Sequence, residues 1–144
     1  MNIQPTRMGV HVKCKSIEKS LGFYLKLGFT PIFAYGSVEF TTQFSCPTAT
    51  EKYSGVTFGI GSALFEIADG HIAVKSEVFR ETVLSSKVSM MFDINSVDDF
   101  VALCDEEKIQ VAVPPRVFPW GTKEVVLKDP DGVVLVFREM LVKH

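Results

Sequence analysis

The side chains best suited to chemistry lie on a few short segments. His11 and Lys13 alternate with Val10, Val12 and Cys14, so a strand over Met8 to Cys14 places both on one face. Glu66 sits in the apolar run Leu64-Phe65-Glu66-Ile67, where a carboxylate must be paired or functional. Met91 and Asp93 share one face of a second alternating segment, and Phe118 and Trp120 lie in a proline-flanked stretch. Imidazole and carboxylate together can bind a metal, exchange a proton or form a plain ion pair. A carboxylate beside aromatic rings can instead hold a cationic or planar ligand. His11 equally fits a neutral, hydrogen-bonded histidine, and Glu66 an ion pair with His11 or Lys13. His71 and His144 read as solvated side chains of a loop and a terminus.

These residues must be positioned by elements, and the elements repeat. After the first strand, Ser16 caps a helix with Ile17, Leu21, Tyr24 and Leu25 on its apolar stripe, Leu27-Gly28 stops it, and a strand follows over Phe29 to Tyr35. Eighty positions on, the order recurs: Ser89, Met91 and Asp93 alternate with Met90, Phe92 and Ile94, Ser96 caps, and Val97, Val101 and Cys104 form the stripe. A strand follows over Ile109 to Val113. Each copy closes with a hairpin, Tyr53–Ile60 with Ala63–Ala68 through Gly61-Ser62, and Lys123–Lys128 with Val133–Arg138 through Asp129-Pro130-Asp131-Gly132. The reading is α+β: two βαβββ modules at 8–69 and 88–141 in one domain spanning 1–144, joined by a linker at 70–87 in which Val78 to Leu84 could be helical. The extra residues of the first copy fall in the polar stretch Thr41 to Lys52, read as a surface loop.

The bulk numbers exclude several classes. The chain has 144 residues, 47% hydrophobic and 22% charged, which suits a globular domain rather than a disordered one. A net charge of −2 lacks the basic footprint of a nucleic-acid binder. Cys14, Cys46 and Cys104 have no C-x-x-C spacing, so neither a disulfide framework nor a zinc knuckle is indicated. Neither a signal-length apolar run at Met1 to Met8 nor a membrane-span run is present, so a cytoplasmic location without membrane contact is expected.

Ser20-Leu21-Gly22-Phe23-Tyr24 before Leu27-Gly28-Phe29, and Pro119-Trp120-Gly121 before Asp129-Pro130-Asp131-Gly132, resemble the vicinal oxygen chelate superfamily of glyoxalases, extradiol dioxygenases and bleomycin-resistance proteins. The resemblance runs from Met8 to about Met140. It implies a curved mixed sheet around a cavity, a trough closed by a partner chain in a homodimer, and a small-molecule ligand. It also implies metal-ligand positions, which here hold Gly9, Ser89, Val136 and Glu66; only Glu66 is a ligand type. The expectation is therefore metal-free binding, or sequestration, of a small aromatic or cationic molecule through His11, Lys13, Glu66, Met91, Asp93, Phe118 and Trp120. The alternative is a lyase or dioxygenase whose divalent metal would rest on His11, Glu66 and a third ligand.

Overall fold

A computed structural model describes residues 3–141. Its contacts fall into two units, one ending at Glu81 and one beginning at Thr82, a boundary within the stretch read as a linker.

In the first unit the order is β1 (Gly9–Lys13), α1 (Ile17–Lys26), β2 (Pro31–Gly36), α2 (Val38–Thr41), β3 (Thr48–Thr50), β4 (Gly55–Ile60) and β5 (Ala63–Ala68), then a 3-10 turn at Ser76–Arg80. Ser16 accepts a hydrogen bond from the Lys19 amide at 3.3 Å, which satisfies one of the donors a helix start leaves unpaired. α1 buries Ile17, Ser20, Leu21 and Tyr24, whereas Leu25 is exposed. Tyr24 meets Phe29, Phe58 and Phe65 at ring separations of 5.2, 5.9 and 4.8 Å. With Val12, Cys14 and Ile67 these rings make a core on one face of a sheet ordered β1-β5-β4-β2-β3. The polar faces of β1 and β5 are thereby turned the other way.

The stretch 41–52 is more ordered than a surface loop. α2, capped by Ser37, ends at Thr41, and β3 adds a parallel edge strand to β2. The linker holds the 3-10 turn, earlier than the helix considered at 78–84, with Phe79 buried.

The second unit runs β6 (Met90–Asp93), α3 (Val97–Glu106), β7 (Val111–Phe118), β8 (Thr122–Lys128) and β9 (Val134–Met140), in a sheet ordered β6-β9-β8-β7. Ser96 caps α3 through the Asp99 amide at 3.1 Å. Phe92 and Phe100 stack on Phe137 at 5.1 and 4.2 Å. In the β8–β9 turn, Asp129 Oδ1 accepts the amides of Asp131 and Val133, each at 2.9 Å. Gly132 has φ +86°, and a side chain there would run into the Val83 carbonyl.

The chain is thus α+β, with two mixed sheets. In each, the first strand of the module pairs in parallel with the last, β1 with β5 and β6 with β9, and apart from the parallel β2–β3 pair of the first unit the other pairs are antiparallel. Among the described residues no helix is long and apolar enough to cross a membrane.

Candidate functional site

Strand register assembles the first cluster. β1 and β5 place His11 opposite Glu66 and Lys13 opposite Ala68, and β4 places Thr57 on the far side of Glu66. His11 Nε2 lies 2.5 Å from Glu66 Oε2. Tyr35 donates its hydroxyl to the same oxygen at 2.7 Å, and Thr57 donates to Oε1 at 3.1 Å. Lys13 Nζ stands 2.7 Å from His11 Nδ1 and 3.3 Å from the His11 carbonyl. An ammonium can only donate, so His11 Nδ1 accepts and the ring proton belongs on Nε2, facing Glu66. His71, from the segment after β5, sets its ring edgewise on His11 at 5.1 Å.

The electrostatics follow from partial burial. The His11 imidazole is pushed below its ordinary value, first by burial, against the attraction of Glu66 and with the help of Lys13 and His71. Burial also lowers the Lys13 ammonium, again against Glu66. Tyr35 is driven well above its ordinary value by burial and by its bond to Glu66, so its hydroxyl stays protonated and keeps donating. The cluster is a neutral imidazole between a cation and a carboxylate.

Tyr35 and Thr57 were not among the residues singled out from the sequence. Each lies on a strand that itself carries no acid, and only the β2-β4-β5 order brings them to Glu66. The one available signal was polarity: Thr57 is a hydroxyl in the middle of an apolar strand.

The second unit sorts its residues differently. Met91 faces Val136 in register, which is the apolar counterpart of His11 facing Glu66. Asp93 faces Arg138 and is ion-paired to it at 2.5 Å, so its carboxylate is already engaged. Phe118 is the last residue of β7 rather than part of a loop, and Trp120 occupies the turn into β8. Their rings stack at 4.7 Å and 15°. Trp120 donates its indole N–H to Glu124 at 3.2 Å, and the Arg116 guanidinium sits 4.6 Å over Phe118. Thus His11, Lys13 and Glu66 come together in the first unit, and Phe118 with Trp120 in the second. Met91 and Asp93 lie on β6, the opposite edge of that sheet from β7. His144 lies outside the described residues.

A strand–helix–strand–hairpin module built twice, with a parallel first-to-last strand pair in each, is matched by one family model, Glyoxalase/Bleomycin resistance protein/Dioxygenase superfamily, over residues 10–137. The chain belongs to this superfamily. Solved structures of similar fold include a glyoxalase/bleomycin resistance protein/dioxygenase from Nocardioides, at 15% identity and TM-score 0.64 over 100% of this chain and 89% of that one. A mutant of the fosfomycin resistance protein FosX from Listeria monocytogenes, complexed with Mn(II) and a dihydroxypropylphosphonic acid, gives 14% and 0.62 over 96% and 93%. A glyoxalase family protein from Enterococcus faecalis gives 22% and 0.55 over 96% and 97%. No curated protein matches in sequence.

The FosX structure holds Mn(II), which raises the question of a divalent ion at the His11–Glu66 cluster of this chain. Among the described residues no three His, Cys, Asp or Glu side chains converge as a metal shell. His11 Nε2 is committed to Glu66, His11 Nδ1 faces an ammonium, and both Glu66 oxygens accept protein donors. A divalent ion would have to displace these bonds and sit beside Lys13, so the residues present do not fit one.

Proposed function

We propose that the chain binds a small aromatic or cationic organic molecule without a metal, and so sequesters it. The observation that carries this reading is the state of Glu66. Three donors from three different strands orient its carboxylate on the sheet face away from α1. An oriented carboxylate loses little freedom when a ligand amine reaches it. Among the described residues Thr57 is the one donor on Oε1, leaving that oxygen able to accept another hydrogen bond. Tyr35, with Tyr53 edgewise on it at 5.9 Å, supplies an aromatic flank. In the second unit the Phe118–Trp120 stack supplies a separate flat surface of the kind a planar ring prefers. On this reading the protein acts in the cytoplasm as a homodimer.

Elemental analysis of protein purified without chelator, followed by calorimetry with tryptamine and with ethidium, tests the proposal. The expected result is no stoichiometric metal and measurable binding that Glu66→Gln weakens about tenfold, as loss of one charged hydrogen bond would. One equivalent of Ni, Zn, Mn or Fe would overturn it in favour of a metal-dependent lyase or dioxygenase.

A further inference from the structure

The Glu66 cluster holds two opposite charges that do not touch. Lys13 uses two of its three N–H groups on His11 Nδ1 and the His11 carbonyl, and the third has no partner among the described residues. Lys13 also forms no direct ion pair there; its link to Glu66 passes through the imidazole. Glu66 retains acceptor capacity on Oε1. Its side chain is 26% exposed and that of His11 28%, so the row can be reached from solvent.

Resting on the reading of Glu66 as a ligand contact, we propose that the ligand is a zwitterion: an aromatic compound carrying both a basic nitrogen, for Glu66, and an acidic oxygen, for Lys13. A ligand with only a positive charge sets that charge beside the Lys13 ammonium. One with only a negative charge meets the same problem at Glu66. A molecule bearing both signs satisfies each side chain and leaves neither repelled. His11, neutral between them, keeps the two charges apart and stops them from neutralising one another by contact. The Tyr35–Tyr53 pair fits an aromatic side group beside the carboxylate end.

Two matched series decide the matter by calorimetry on the full chain: tryptophan, tryptamine and indoleacetate, and tyrosine, tyramine and para-hydroxyphenylacetate. The amino acid of at least one series is expected to bind about tenfold or more tighter than its amine and its acid. Lys13→Met should reduce the amino acid to the level of the amine, and Lys13→Arg should restore most of the difference. Should Lys13→Met fail to fold, the wild-type comparison with Lys13→Arg still decides. Amines that bind as tightly as the amino acids would overturn the zwitterion and leave the metal-free binder standing. Binding by none of the six compounds, or an affinity order indifferent to Lys13→Met, would also overturn it. A stoichiometric metal would instead sink the reading beneath it.

Discussion

The ring of Tyr35 lies directly across the backbone of Gly55, with no room for even a Cβ between them. The two residues are cross-strand partners in β2 and β4, and the missing side chain lets the phenol reach over β4 to Glu66 on β5. Gly55→Ala should therefore push Tyr35 off Glu66. The expected cost is about 1–3 kcal/mol of stability, as for other overpacked sites, measured by urea denaturation. Tyr35 should then titrate closer to an ordinary phenol in ultraviolet difference spectra. An unchanged tyrosine titration in a folded Gly55→Ala protein would count against this arrangement.

Folding weakens the hold of His11 on its proton, because burial outweighs the pull of Glu66. Between the folded value and the 6.5 of a free imidazole, the unfolded chain binds more protons. Stability from this group is present above that window and is lost as pH falls through it. Denaturation midpoints should drop between about pH 7.5 and about pH 5, and His11→Gln should flatten part of that drop. An identical slope in the variant would remove His11 from the account.

Asp129 holds the β8–β9 turn by accepting two amides with one oxygen while itself almost fully buried. Asp129→Ala strands those donors and should cost about 1–3 kcal/mol, read from the chemical denaturation midpoint. Asp129→Asn, which keeps an acceptor, should recover a good part of it.

Trp120 is the sole tryptophan of the chain, so its emission reports on the Phe118 stack directly. Phe118→Ala should shift that emission toward the red and raise its accessibility to iodide, with little change in stability because Trp120 is 59% exposed. Glu124→Gln should give a smaller shift, since it weakens the indole N–H bond without removing the ring beneath.

Local signals made the module legible. Ser16 and Ser96 cap the helices they mark, and the alternation around His11 and Glu66 put both on the face they occupy. What escaped the sequence depends on partners distant in the chain. β3 exists because β2 offers a free edge, although Thr48 to Thr50 is too short and polar to announce a strand. β7 runs on to Phe118 through Pro114 and Pro115, which an edge strand tolerates and a central strand would not. Leu25 fitted the helical period yet is exposed, because α1 turns Ser20 and Tyr24 toward the sheet instead. Tyr35 is the sharpest omission, since its role is set by the absence of a side chain twenty residues away.

Among the described residues β1 is an edge strand, hydrogen-bonded in its sheet to β5 and to no other strand. During synthesis His11 emerges before Glu66 and has no β5 to pair with until the whole span to Ala68 has followed, so a long loop must close before β1 gains that ladder. β4 and β5, neighbours joined by a tight turn, can zip first; β1 docks onto them afterwards. The His11–Glu66 contact is then among the last made in its unit and among the first to open, and amide exchange along β1 should be the fastest of any strand that touches the cluster.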